Sequence, residues 1–210
     1  MKLLMISLGN DITIGKGERT IKRHLKYAKF SKTKIYMVLL SSVKDESYKK
    51  EIKRENYLFV YPVTSSNHFL LVIKGFLKTF QLCMTNQFDL IYSQDPFGTG
   101  LIGNIIRKIF NLPLLLGNHS SFANNPNWVK EKPLYFNFLK IIMKFNLPLA
   151  DAWRVNNKKE KEHYIKSYGI PSNRIIVNHT LVNSNTFSQN LPKGDLDKLK
   201  KSITNDDSTK

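Results

Sequence analysis

A single cysteine, Cys83, leaves the chain without an intramolecular disulfide or a multi-cysteine metal site, which fits a reducing cytoplasm. Cys83 itself lies in an apolar run and is expected in the core. Acidic residues are scarce as well. Sixteen carboxylates face 33 Lys and Arg, giving a net charge of +17 over 210 residues. Such an excess attracts something anionic, whether a membrane surface, a phosphorylated substrate or nucleic acid, unless it only reflects a bias toward Lys, Asn and Ile. Long uncharged apolar runs are missing too. The two longest, Phe69 to Met84 and Leu134 to Leu149, carry Lys74 and Lys78 and then Lys140 and Lys144. A spanning helix needs about 20 mostly apolar residues, so neither is expected to cross a bilayer. Only Leu3 to Leu8 separate Met1-Lys2 from Gly9, too few for the apolar core of a secretory signal. There is no G-x-S-x-G elbow, no metal-ligand cluster and no D-x-D, so self-contained hydrolase or metal-dependent chemistry is not expected. The basic residues spread along the chain without a helix-turn-helix, zinc or RNP pattern, which disfavours specific nucleic-acid binding.

What the chain does have is alternation of apolar runs with helical periodicity. Hydrophobic residues make up 41% of it, enough for one ordinary domain with a proper core. Leu3 to Ser7, Lys34 to Leu40, Tyr57 to Val63, Phe88 to Ser93 and Leu114 to Leu116 read as buried strands. Between them, helices are expected from the Gly15–Gly17 turn to about Lys29 and over Asn67 to Thr85. Another follows Gln94-Asp95-Pro96, with Asp95 as cap, Pro96 in the first turn, and Leu101, Ile102, Ile105, Ile106 and Ile109 as its apolar stripe. Lys44 to Glu55 is left as helix or loop. Pro133 to Pro148 is dense in aromatic and aliphatic residues and is expected to pack, with an alternative role lying against a bilayer. Ala150 to Asn156 and Arg174 to Val177 are two more strands. The helix between them is capped by Asn157 with Glu160 and ended by Gly169 and Pro171. This spacing predicts an α/β fold, a Rossmann-like doubly wound parallel sheet of six or seven strands.

Two loops at strand exits stand out. Gly15-Lys16-Gly17-Glu18-Arg19 lets backbone approach a phosphate before a helix N-terminus, although it is neither a Walker A loop nor G-x-G-x-x-G. Gly117-Asn118-His119-Ser120 follows a strand where ligands of open α/β sheets bind. A solvated turn and an ordinary surface His are the plain alternatives.

The stretch Ala150-Asp151-Ala152, Gly169-Ile170-Pro171, Arg174 to Val177, Asn178 and Phe187 resembles the end of the N-terminal domain of retaining, GT-B-type glycosyltransferases of family 4. Leu181-Val182-Asn183 stands where that family has Gly-Val-Asp, and Asn156-Asn157 where it has Ser. The Gly-Lys-Gly-Glu-Arg turn, the Phe88 to Pro96 segment and the Asn118-His119 loop resemble further family segments. The resemblance implies one half of a GT-B fold: residues 1–190 as acceptor-side domain, and 191–210 as linker and start of a C-terminal donor domain that does not follow. It implies transfer of a sugar from a nucleotide-sugar donor to a glycan or lipid-linked acceptor in cell-surface glycoconjugate synthesis, with no metal and little activity unless a separate donor domain is supplied. His119 is the implied catalytic residue. Gly15, Lys16 and Gly17 would meet the donor diphosphate, and Arg19, Asp95, Asn118 and Ser120 would line the cleft. A cytoplasmic location at the inner face of the membrane is expected, with cations of the first helix acting together with Tyr135 to Phe145. A non-catalytic sugar-binding module and a basic membrane- or nucleic-acid-binding domain are the alternatives.

Overall fold

The computed structural model describes residues 1–9, 17–42, 51–118, 130 and 132–178. Within them, strands β1 (Lys2–Leu8), β2 (Lys34–Ser41), β3 (Ile52–Arg54), β4 (Leu58–Thr64), β5 (Leu90–Ser93), β6 (Leu114–Gly117), β7 (Ala152–Val155) and β8 (Ile175–Val177) form one sheet. Helices α1 (Glu18–Phe30), α2 (His68–Thr85), α3 (Gly98–Phe110), α4 (Pro133–Leu149) and α5 (Lys158–Tyr168) connect them. The strand order is β3-β4-β2-β1-β5-β6-β7-β8. Every pairing is parallel except β3 with β4. The expectation of a doubly wound parallel sheet holds, with eight strands in place of six or seven. The extra strand lies within the stretch left as helix or loop. Its turn into β4 uses two left-handed residues, Glu55 (φ 51°) and Asn56 (φ 57°), which supply the twist a tight antiparallel connection needs.

Alternation along the strands separates two cores. Leu4, Ile6, Val38 and Leu40 belong to the core that α2, α3, α4 and α5 cover, whereas Met5, Met37 and Leu39 belong to the one under α1. The chain moves from β1 to β2 in one direction and from β5 to β8 in the other, and right-handed crossovers then place the helices on opposite faces. One expectation falls as a result. The cations of α1 lie across the sheet from Tyr135 to Phe145 on α4, so the two cannot meet one flat surface together.

Two helices differ from their sequence pattern. On α3 the buried row is Thr99, Gly100, Ile102, Gly103 and Ile106, while Leu101, Ile105 and Ile109 are exposed. The helix rests on the sheet through its small residues: a Cβ on Gly103 would fall 2.4 Å from Ser93 Oγ. A larger residue there would lift the whole turn. Helix α3 also begins at Gly98, after Pro96, and Asp95 shapes the turn before it without capping it. On α4 the buried residues are Met143, Asn146 and Leu147, and most of the aromatic and aliphatic side chains expected to pack face outward.

Polar groups fix how these layers meet. Asn146, 1% exposed, donates through Nδ2 to the carbonyls of Pro96 and Phe97 at 2.9 and 3.0 Å. Its Oδ1 accepts from Asn104 Nδ2 at 3.0 Å, tying α4 to α3. Asp151 accepts from Arg107 Nε and Nη2 at 2.7 and 2.6 Å and from the Leu114 N–H at 2.8 Å. That one carboxylate anchors α3 and the start of β6. Helix α5 carries the capping box read from the sequence: Asn157 Oδ1 accepts from the Glu160 N–H, and Glu160 Oε2 accepts from the Asn156 N–H. Gly169 closes it in the left-handed conformation at φ 65°.

Candidate functional site at the carboxyl edge of the sheet

Because β1, β2 and β4 to β8 run parallel, their carboxyl ends share one edge, and the strand order reverses between β1 and β5. Open α/β sheets bind ligands in the crevice at such a reversal. Of the residues expected in the site, Gly17 stands at the start of α1 after β1, Asp95 after β5 and Asn118 after β6, so the fold gathers them at this edge. Arg19 lies in the exposed first turn of α1. Gly15, Lys16, His119 and Ser120 lie outside the described residues.

The crevice floor contains two residues the sequence did not single out. Ser7, at the end of β1, donates its hydroxyl to Gln94 Oε1, and the Gln94 N–H donates to the Ile6 carbonyl at 3.0 Å. These bonds stitch the two strands together where they diverge. Neither position carries a sequence signal, because a Ser in an apolar strand and a Gln at its neighbour's exit acquire meaning only once β1 and β5 are known to be adjacent.

Asp95 is held in place by its own turn. Its Oδ1 accepts from the Phe97 N–H at 2.8 Å and its Oδ2 lies 2.7 Å from Thr99 Oγ1. Burial pushes its carboxyl above the ordinary range, and the bonds from Thr99 and Phe97 partly oppose that rise. Asn118 is 4% exposed and points inward. Both of its amide hydrogens are taken, by Tyr164 Oη at 2.8 Å and Glu160 Oε1 at 3.4 Å. Tyr164 is itself buried, which raises its phenol well above the usual value. Asn118 therefore fixes where the loop after β6 departs. Its Oδ1 has no hydrogen-bond partner among the described residues. Nearby lies a cavity of about 10 Å³ lined by Asn118, Trp153, Arg154 and Tyr164, room for about one water and far too small for a sugar. A depression of about 520 Å³ lined by Lys2, Lys32, Lys34 and Tyr57 is larger, but it sits at the amino edge, away from the strand reversal. Neither of these two cavities offers room for a sugar at the strand reversal. Among the described residues no group of His, Cys, Asp and Glu is arranged to hold a metal ion.

The comparisons with known proteins agree with this architecture. The family model described as Glycosyltransferase Family 4 matches residues 34–186. No curated protein matches the chain by sequence. Among solved structures, the lipopolysaccharide outer core galactosyltransferase WaaB in its apo form is similar at a TM-score of 0.59 and 19% identity, over 87% of this chain and 46% of that one. Sucrose-phosphate synthase from Thermosynechococcus elongatus is similar at 0.62 and 15% identity, over 87% and 49%. The UDP-GlcNAc 2-epimerase from Methanocaldococcus jannaschii is similar at 0.52 and 15%, over 84% and 45%. The chain thus spans about half the length of the structures it matches. At these identities the likeness establishes the fold, a Rossmann-like half of a GT-B architecture, and that architecture serves epimerases as well as transferases. The family match separates the two.

Proposed function

The chain belongs to glycosyltransferase family 4, and on that premise we propose that it serves the transfer of a sugar from a nucleotide-sugar donor to a glycan or lipid-linked acceptor in cell-surface glycoconjugate synthesis. The observation that carries this reading is the strand reversal between β1 and β5 within a family-4 fold, with Gly17 on one side of the crevice and Asp95 and Asn118 on the other. In the proposed reaction the acceptor hydroxyl oxygen forms a bond to the anomeric carbon as the bond from that carbon to the donor phosphate breaks. The hydroxyl proton is released, the diphosphate leaves with its negative charge, and the anomeric configuration is retained. Gly15, Lys16 and Gly17, with the first N–H groups of α1, are assigned to that charge, and Arg19 to the cleft beside it. His119, following the inward-held Asn118, is assigned to the transferred sugar, with Ser120 beside it at the cleft. No metal is assigned a role, because guanidinium, ammonium and N–H donors suffice in kind to meet a departing diphosphate.

The described body is assigned to the acceptor side, and a second Rossmann-like domain to the donor nucleotide. Oriented donors facing a developing charge contribute about 3 to 4 kcal/mol each, so a crevice with only one wall is expected to be nearly inert. The test mixes the purified chain with a family-4 C-terminal half and a panel of nucleotide sugars, and follows release of the nucleoside diphosphate. We expect none from the chain alone, release on mixing, and loss of about a hundredfold or more with His119→Ala. Rapid turnover by the 210-residue chain by itself would overturn the division of labour.

A further inference from the structure

We infer that the depression at the amino edge of the sheet is a second binding site, one that takes a small organic phosphate. It lies where β1, β2 and β4 begin, at the end of the strands opposite the candidate crevice. Three segments wall it: Lys2 at the start of β1, Lys32 and Lys34 where α1 turns into β2, and Glu55 to Tyr57 where β3 turns into β4. Backbone bonds hold these segments to one another. The Lys34 N–H donates to the Met1 carbonyl at 2.9 Å, and the Ile35 N–H donates to the Tyr57 carbonyl at 2.7 Å. The volume of about 520 Å³ falls within the range of small-molecule sites, about 300 to 1,000 Å³. Lys2 and Ser7 stand toward opposite ends of β1, about 17 Å apart at 3.3 Å per residue, so the two sites are separate.

Charge identifies the ligand. Lys2, Lys32 and Lys34 bring three ammonium groups to one depression, and among the described residues none of these groups has an ion pair or a hydrogen bond. The carboxylates close by are already engaged: Glu55 pairs with Lys29, and Asp89 accepts from the Lys2 backbone N–H at 2.7 Å. Lys2, Lys29, Lys32 and Lys34 against Glu55 and Asp89 leave an excess of two positive charges. One phosphate monoester, carrying about 1.5 to 2 negative charges near neutral pH, matches it. The backbone carries a second, independent sign. Three of the four non-glycine residues with positive φ among the described residues line this depression: Lys32 at 50°, Glu55 at 51° and Asn56 at 57°. Where the left-handed conformation only has to end a helix, the chain uses Asn111 after α3 and Gly169 after α5, the residue types that adopt it most readily. Lys32 and Glu55 lack that ease. Their side chains are kept at the expense of the backbone, Lys32 for its ammonium and Glu55 for its hold on Lys29, as happens where a ligand is met. This inference does not depend on the proposed transfer reaction.

Titration of the full, isotope-labelled chain with inorganic phosphate, with ribose 5-phosphate and with ribose, followed by amide NMR, provides the test. We expect both phosphates to bind saturably, ribose 5-phosphate more tightly, and ribose not to bind. The shifts should gather at the amides of Lys2, Lys34, Asn56 and Tyr57 and spare Ser7, Gly17 and Gln94 at the carboxyl edge. Lys2→Gln/Lys32→Gln/Lys34→Gln should weaken ribose 5-phosphate binding about tenfold or more. Lys74→Gln/Lys108→Gln/Lys144→Gln removes the same charge from exposed lysines of α2, α3 and α4, and should change binding less than about twofold. Circular dichroism and melting report on folding. Lys32→Gly separates ligand from fold: it should melt no lower than the parent, because the left-handed backbone is relieved, and still bind several times more weakly. A Lys32→Gly chain that binds as well as the parent, equal loss in the two triple variants, shifts confined to the carboxyl edge, or no saturable binding of either phosphate would each overturn the proposal.

Discussion

Asn146 offers the sharpest test of how the layers hold the carboxyl edge in place. In Asn146→Ala the Pro96 carbonyl loses its partner at 2.9 Å and the Asn104 amide loses one of two, keeping the Asn146 carbonyl at 3.2 Å, while the Phe97 carbonyl keeps the Leu101 N–H at 2.8 Å. The buried Pro96 carbonyl is left orphaned and the Asn104 amide keeps only its longer bond. An orphaned carbonyl costs about 1 to 3 kcal/mol, and the removed amide volume adds to it, so a loss of about 3 kcal/mol is expected. For a chain of this size that corresponds to a fall of roughly 6 to 12 °C in Tm. Urea denaturation read by circular dichroism gives the free energy directly. Removing both amides in Asn104→Leu/Asn146→Leu leaves only the Pro96 carbonyl unpartnered, so the double variant should cost less than the sum of the two single ones by about 1 to 2 kcal/mol. A single-variant loss under about 1 kcal/mol, or strict additivity, would refute the bridge as a source of stability.

Three further outcomes follow from the same contacts. Gly103→Ala should destabilise by about 1 to 3 kcal/mol by thermal melting, because its Cβ meets Ser93 Oγ at 2.4 Å, and adding Ser93→Ala should recover part of the loss. Gly169→Ala meets no neighbour within 4 Å, so its cost of about 1 kcal/mol comes from the left-handed backbone alone, and Gly169→Asn should cost less. Arg107 and the Leu114 N–H hold the Asp151 carboxyl below its usual value. A folded-state value lower than the unfolded one stabilises the fold above pH ~4, and the gain is lost as pH falls through the folded value. Asp151→Asn should therefore be about 1 kcal/mol less stable near neutral pH, given the half-exposed pair, with the difference vanishing in acid. A difference that persists unchanged to low pH would refute the ion-pair account.

β1 and β2 were legible because helices cover both of their faces and bury both sides of each strand, which writes continuous apolar runs into the sequence, whereas β5, β7 and β8 bury one side more than the other. β3 was not legible, since Ile52-Lys53-Arg54 has no alternation and its pairing is set by two left-handed residues without a glycine. The apolar stripe of α3 was only half right: Ile102 and Ile106 are buried as expected, whereas Leu101, Ile105 and Ile109 are exposed. The five residues span an arc of about 140° at 3.6 residues per turn, and periodicity cannot see that Gly100 and Gly103 allow closer approach to one side of it. The face of α4 was misjudged because density of apolar residues was taken as burial. Nothing in a sequence distinguishes an apolar residue packed inside from one kept outside for a surface.

The residues that carried the family resemblance explain why the fold was more legible than the chemistry. Asp151 binds Arg107 and the Leu114 N–H, and Gly169 ends α5. Both build the second half of the sheet, and neither contact requires a substrate. A pattern made of such residues reports architecture first, which is why it leads to a fold that epimerases and transferases both use. Chemistry depends instead on what emerges from the edge that those residues position. Asn118 shows the connection: with both amide hydrogens committed inward, it fixes the end of β6, directly before His119 and Ser120 in the sequence. Glu160, read from the sequence only as a partner in the helix cap, and Tyr164, which the sequence did not single out, are therefore the supports of Asn118.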